Sequence, residues 1–422
     1  MALEQTHAGG SPISPQVIIG ITNERPECGI AAPFGPPPLR LANQPDHDAT
    51  IFRGHWSAVS SCSMSFQFIT AIPLNVWKGS GCFVGIDTLA TGLRALGGDV
   101  NFVTPGFRFP VYAAKRTLFN HMLRYRLFLS GDTIVGFDAD GYSIAGRRRA
   151  QHVASIKGVI ADVLPYETGL TRASMAFQAH LERMHAQRAD LVVTPSRYCA
   201  ERLDELYRIR NATVIPELID LDKWRTLLAE NPAATSKRQR FVVLCVCRFY
   251  SRKRVDVLLR AAALLRARVP ELEVRIVGRG PEAARLLLLW RALRLQGRVL
   301  WLGDLTPNEL ATEYNGADVF CLPSVQEGFG IVFLEAMAAG KPIVAARAAA
   351  VPEVVHNGLL VEPENEDALA DALDSLYRDS QLRMSLSASG RRHVENFEMR
   401  RIARRFMEAV GAGTKEVEEI VQ

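Results

Sequence analysis

The chain has 422 residues, 48% of them hydrophobic and 23% charged, with a formal net charge of +5. That length exceeds the size at which one hydrophobic core stops growing, so two domains with a cleft between them are expected, and the apolar content excludes a disordered chain. No run reaches the roughly 18 to 20 apolar residues of a membrane-crossing helix, and residues 1–11 lack the basic and apolar regions of a signal peptide, so a cytoplasmic protein is expected, with peripheral contact at the inner face of the membrane left open.

Residues 1–64 carry Gly-Pro-Pro-Pro from Gly35 and little apolar periodicity, and are expected to form a mobile N-terminal extension. From Phe66 onward short β-branched or apolar runs alternate with longer amphipathic stretches, the pattern of βαβ units and a parallel sheet. Strands are expected over 66–72, 100–104, 133–137, 153–156 and 191–194, with a glycine-rich loop at 79–85 and a helix at 86–96. A polar, turn-forming stretch at 231–240 separates the halves. The second half predicts strands over 241–246, 273–277, 299–302, 319–322 and 342–345, helices at 255–268, 282–295, 307–314 and 331–339, and three amphipathic C-terminal stretches.

The expected fold class is therefore α/β, with two doubly wound Rossmann-like domains facing across a cleft. The N-terminal Rossmann-like domain is assigned to 65–231, the C-terminal one to 232–395, and a C-terminal helix at 396–422 is expected to pack back on the first domain. Such domains place ligands beyond the carboxyl ends of their strands, so the loops that follow strands carry the chemistry.

After the strand ending at Leu322, Pro-Ser-Val-Gln-Glu-Gly-Phe-Gly leads into a helix, which puts Gly328, Phe329 and Gly330 at a helix N-terminus, where free backbone N–H groups favour an anion. Glu327 lies in that loop and Glu335 about a turn into the helix. Two acids beside an anion site need other partners, and the adjacent hydroxyls of a ribose or a hexose suit them. Cations come from Arg248-Phe-Tyr-Ser-Arg-Lys253, another loop that follows a strand: Arg248 can grip phosphate oxygens through two bonds, and Lys253 is a compact point charge. Stabilising a departing diphosphate is what such cations do best.

Residues 190–410 resemble the donor-binding half of the family 4 retaining glycosyltransferases, of GT-B fold, through Asp190-Leu-Val-Val-Thr-Pro-Ser196, Pro216-Glu-Leu-Ile-Asp220, Arg248 with Lys253, Gly278-Arg-Gly280, Pro323-Ser324, and the two glutamates, Glu327 and Glu335. The resemblance implies that Arg248 and Lys253 bind the diphosphate, that Glu335 holds the ribose, that Glu327 contacts a hydroxyl of the transferred sugar, and that no metal is required. It further implies a nucleotide diphosphate sugar as substrate rather than cofactor, with a UDP or GDP sugar expected, and a carbohydrate, lipid-linked or small-molecule acceptor; no nucleic-acid partner is expected. A sugar-nucleotide isomerase of the 2-epimerase type and a non-catalytic sugar-nucleotide-binding protein are the alternatives.

The first half is less explicit. Gly79-Ser-Gly81-Cys-Phe-Val-Gly85 departs from the dinucleotide fingerprint in its third glycine, and the resemblance implies that Gly81 faces the diphosphate across the cleft. Gly278 is either a phosphate or sugar contact or a turn after a strand. Asp138-Ala-Asp140 mimics a metal-binding Asp-x-Asp, but in this half Asp140 is a candidate acceptor contact instead. Many family members carry a histidine after the next strand; this chain has Lys157 there, a candidate for the same role. The basic, apolar stretch 115–129 reads either as a helix lying on an anionic membrane or as a helix facing the core. Seven scattered cysteines show neither a disulfide framework nor zinc-site spacing.

Overall fold

The structure, a computed structural model, describes residues 64–72, 81–107, 109–126, 132–147, 150–233 and 240–421. The expected N-terminal extension lies outside the described residues except for Met64.

Twelve strands form two parallel six-stranded sheets among the described residues. The first contains β1 (Ser65–Ile69), β2 (Asp99–Val103), β3 (Asp132–Phe137), β4 (His152–Ser155), β5 (Leu191–Thr194) and β6 (Thr213–Val214), in the order β2-β1-β3-β4-β5-β6. The second contains β7 (Phe241–Val246), β8 (Leu272–Val277), β9 (Val299–Gly303), β10 (Val319–Leu322), β11 (Ile343–Ala346) and β12 (Gly358–Val361), in the order β12-β11-β10-β7-β8-β9. The strands are near-continuous apolar runs because helices cover both faces: Phe66, Phe68 and Ile69 of β1 and Val243, Leu244 and Cys245 of β7 are all buried. The strand order reverses between β1 and β3 and again between β7 and β10. These two switch points are where open α/β sheets take ligands.

Local signals start the helices. Ser196 accepts a hydrogen bond from the Cys199 N–H to cap helix Arg197–Tyr207, and Thr306 with Glu309 forms a capping box on Pro307–Gly316. One expectation fails at the start of the chain. The glycine-rich stretch is not a loop up to Gly85, because the helix Gly81–Ala95 already includes it. Phe83, Ile86, Ala90 and Leu93 are buried along one face, and that burial outweighs the weak helix propensity of Gly81 and Gly85.

The last helix, Met399–Val421, returns to the first sheet. The Ile219 N–H donates to the Phe397 carbonyl and the Met399 N–H to the Ile219 carbonyl, and Met399, Ile402, Ala403 and Phe406 share a core with Phe66, Ile86, Leu89 and Leu93.

Candidate functional site

Because β7 pairs directly with β10, through Val319 beside Val243 and Phe320 beside Leu244, the loops following these two strands meet. The Val325 N–H donates to the Arg252 carbonyl at 2.9 Å, and the Lys253 ammonium donates to Glu327 Oε1 at 2.5 Å. Gly330 immediately precedes helix Ile331–Ala338 with φ 92°, a left-handed conformation that glycine adopts without penalty. Gly328 is a matter of space: a Cβ there would lie 2.8 Å from the Lys157 carbonyl oxygen, so the turn packs on the backbone of the facing wall.

Between the sheets lies a cavity of about 330 Å³. Asp138, Lys157 and Glu217 line it from the first sheet's side, and Arg248, Arg252, Lys253 and Glu327 from the second, together with the turn Gly328, Phe329, Gly330. The charged lining holds one more cation than acids, and a helix N-terminus opens beside it, an environment suited to a diphosphate. Arg248 reaches toward Asp304 at 3.7 Å, while Arg252 lies 4.5 Å over the Tyr250 ring and 3.8 Å from Glu167. Phe329 lines the cavity, and its ring packs edge-on against Phe397, with centroids 5.6 Å apart.

Glu335 sits behind this lining, buried on helix Ile331–Ala338. Burial pushes its carboxyl up to about 7, and the Tyr314 hydroxyl, donating to Oε2 at 2.9 Å, partly opposes that shift. The two walls are joined by direct hydrogen bonds. Ser196 Oγ donates to the Gly328 carbonyl at 2.8 Å, Gln326 Nε2 to Asp162 at 3.1 Å, and Ser251 Oγ to the Tyr166 carbonyl at 2.8 Å. The Glu353 carboxylate accepts the Arg197 and Tyr198 N–H groups at 2.9 and 2.7 Å, capping the N-terminus of a helix in the opposite half.

Several sequence expectations are not met here. Asp140 does not face the cavity: it is fully buried, accepts from the Ala71 N–H at 2.7 Å and Asn120 Nδ2 at 3.0 Å, and pairs with Arg116 at 2.8 Å. Its carboxylate is a structural anchor rather than an acceptor contact. Gly278 is likewise outside the lining, and its glycine has a local reason, since a Cβ there would lie 2.0 Å from the Cys247 carbonyl oxygen. Gly81 is the first residue of its helix, and residues 73–80, which precede it, lie outside the described residues. Lys157 does line the cavity, paired at 3.0 Å with Glu217 of the Pro216-Glu-Leu-Ile-Asp220 segment. Glu217 follows β6, a two-residue strand too short to read from periodicity, so it was not recognisable as a residue after a strand. His152 is buried, and its ring pairs with His185 at 2.8 Å.

The glycosyl transferases group 1 family matches this chain over residues 229–393, which contain both loops of the cation-rich wall. A GDP-mannose-dependent alpha-(1-6)-phosphatidylinositol monomannoside mannosyltransferase of Mycobacterium tuberculosis is 30% identical over 336 residues, covering 75% of this chain and 83% of that protein. The chain belongs to the group 1 glycosyl transferases. A D-inositol 3-phosphate glycosyltransferase of Rhodococcus opacus is 35% identical over 206 residues, covering 46% of this glycosyltransferase and 45% of that protein. In fold, the enzyme is similar to the sucrose-phosphate synthase of Thermosynechococcus elongatus, with a TM-score of 0.70 at 21% identity, covering 83% of this chain and 98% of that one. The two facing parallel sheets are thus the GT-B fold.

Proposed function

We propose that this glycosyltransferase moves a hexose from a GDP-sugar, with GDP-mannose the best-supported donor, to a hydroxyl of a lipid-linked or inositol-bearing acceptor, with retention at the anomeric carbon. The names of the two curated relatives support the donor and the acceptor class. The observation that carries the site assignment is the Lys253–Glu327 pair at the mouth of a helix N-terminus. An arriving diphosphate offers Lys253 a doubly charged partner in place of Glu327, so Lys253 and Arg248 hold the leaving group with the N–H groups that follow Gly330. Glu327 is then released to accept from a hydroxyl of the transferred sugar. Glu335, one turn further on, accepts from the ribose.

In the reaction the bond between the anomeric carbon and the phosphate oxygen breaks. The acceptor oxygen bonds to that carbon on the same face, and the acceptor's proton passes to the departing phosphate oxygen. Cations stabilise the charge that builds there, the step at which electrostatic help lowers the barrier most.

The acceptor-side surface suits a lipid-borne substrate. On helix Tyr112–Met122 and its flanks, Arg116, Phe119 and Asn120 turn inward, while Val111, Leu118 and Met122 are about half exposed and Tyr125 is 89% exposed. Among its described residues this stretch thus turns one face to the core and one outward, and the outward face supports peripheral contact with an anionic bilayer. No helix among the described residues is long and apolar enough to cross a membrane.

A thermal-shift panel of nucleotides and sugar nucleotides tests the reading. A donor at about 100 times its dissociation constant stabilises the fold by about 2.7 kcal/mol. GDP and GDP-mannose are expected to shift the midpoint, with ADP and CDP sugars inert. Indifference to every nucleoside diphosphate sugar would refute the donor assignment.

A further inference from the structure

The cavity holds two lysine–glutamate pairs, one on each wall, and the donor assignment employs only Lys253 with Glu327. In the other, Lys157 Nζ lies 3.0 Å from Glu217 Oε1 and 3.1 Å from Oε2, with Lys157 exposed by 9% and Glu217 by 5% at the side chain. The two residues are 60 positions apart and come from different post-strand loops. A buried ion pair is seldom worth more to stability than the apolar residues that could replace it. A charge pair kept at the wall of a ligand cavity is therefore better explained by what it binds.

Three independent features hold this pair in place. The Lys157 N–H donates to Asp138 Oδ1 at 2.9 Å, which fixes the base of the lysine. Its ammonium lies 5.9 Å from the Phe137 ring centroid, over an aromatic face that favours a cation. The helix Gly81–Ala95 is built around the carboxylate, because a Cβ at Gly85 would fall 2.4 Å from Glu217 Oε2. Lys157 also places its carbonyl against Gly328, the residue next to Glu327. The pair thus borders the position assigned to the transferred sugar.

We propose that Lys157 and Glu217 form a charge-neutral clamp for one hydroxyl of the transferred sugar. An ammonium has three N–H donors and a carboxylate about four acceptor sites, so the ion pair leaves capacity on both partners. A hydroxyl accepts and donates at once, and a paired lysine and glutamate satisfy both demands. An isolated cation there would attract anions instead. This inference rests on the proposed donor site.

Calorimetric titration of the full chain with GDP and GDP-mannose, and in parallel with UDP and UDP-glucose, separates the clamp from the diphosphate grip. The variants are Glu217→Gln, Lys157→Met, the double variant, and Gly85→Ala, which pushes a methyl into the carboxylate without altering either charged residue. The expected result is nucleoside diphosphate affinity within about twofold of wild type in every variant, while affinity for the sugar nucleotide relative to its own nucleotide falls about tenfold, the size of one hydrogen bond to a charged group. The double variant is expected to be no worse than either single one, since the two act as a unit. Unchanged ratios, additive losses, or equal weakening of nucleotide and sugar nucleotide would overturn the clamp while leaving the donor site standing. A wild-type chain that binds no nucleoside diphosphate would overturn both.

Discussion

Replacing Glu335 by glutamine keeps the shape of the side chain and an acceptor for the Tyr314 hydroxyl while removing the charge. In the native chain burial raises this carboxyl from 4.5 to about 7, which corresponds to about 3 kcal/mol against the ionised form. The folded value lies above the unfolded one, so between pH 4.5 and about 7 the native state binds more protons than the unfolded state. The associated stability is fully present below pH 4.5 and is lost as pH rises through 7. Glu335→Gln has no such slope, and at pH 8 it is expected to be more stable than wild type by up to about 3 kcal/mol, a rise of several degrees in melting midpoint. Donor binding reverses the balance. A ribose diol donates to the ionised carboxylate and pulls its pKa down, so binding near pH 7 releases about half a proton in wild type and none from this group in the variant. Calorimetry in two buffers of different ionisation enthalpy reads that proton directly. The same titration is expected to show donor affinity lowered roughly 10- to 100-fold in Glu335→Gln, the worth of a charged hydrogen bond. Equal affinity and equal proton release in the two proteins would refute the ribose assignment.

The other walls of the site make separate predictions. Lys253→Met leaves Glu327 without its 2.5 Å partner and the diphosphate without a point charge, so kcat/KM in a donor-hydrolysis assay is expected to fall at least 100-fold while the fold persists; a loss below threefold would exclude Lys253 from the reaction. Gly328→Ala drives a methyl to within 2.8 Å of the Lys157 carbonyl and forces the walls apart, and overpacking of this kind costs about 1–3 kcal/mol; thermal midpoint and donor affinity are both expected to drop, and wild-type values for both would show that the walls do not touch in solution. Asp140→Ala strands the buried Arg116 charge at a penalty of about 3–5 kcal/mol, so the midpoint falls while nucleotide affinity of the folded protein stays unchanged; loss of transfer without loss of stability would restore Asp140 as an acceptor contact.

How far the sequence carries depends on how local each feature is. Every strand of the second sheet except β12 was readable, because each is a short apolar run between turn-forming residues, and β12 begins with glycine at the sheet edge. The cation-rich wall was readable for the same reason: Arg248 and Lys253 follow one strand, Glu327 and Gly330 another, and neighbouring positions of β7 and β10 suffice to bring the two loops together. The opposite wall is assembled from distant pieces. Glu217 reaches Lys157 across 60 residues, Asp140 meets Ala71 across 69, and Gly85 matters because Glu217 and Ile331, both distant in sequence, close on it. No periodicity reports such meetings.

Asp138 and Asp140 show why position after a strand is not sufficient. Both follow β3, and a rule that sends such residues to the cleft applies equally to the two. Asp138 takes a left-handed conformation, with φ 53°, and the chain turns sharply at this point. Asp138 therefore stays at the cavity, accepting the Lys157 N–H, while two residues later the chain has folded under the sheet and Asp140 meets Arg116 and Asn120. A carboxylate two positions further along is thus moved from solvent chemistry to core anchoring by one backbone torsion. The acceptor wall depends on that anchor, because the Asp138 carbonyl also accepts from His185 Nδ1 at 2.5 Å, and the Asp138 side chain fixes the backbone of Lys157. Loosening Asp140 should therefore reach the Lys157–Glu217 pair through Asp138, whereas Lys253 and Glu327, anchored in the other sheet, should keep their grip on a nucleotide.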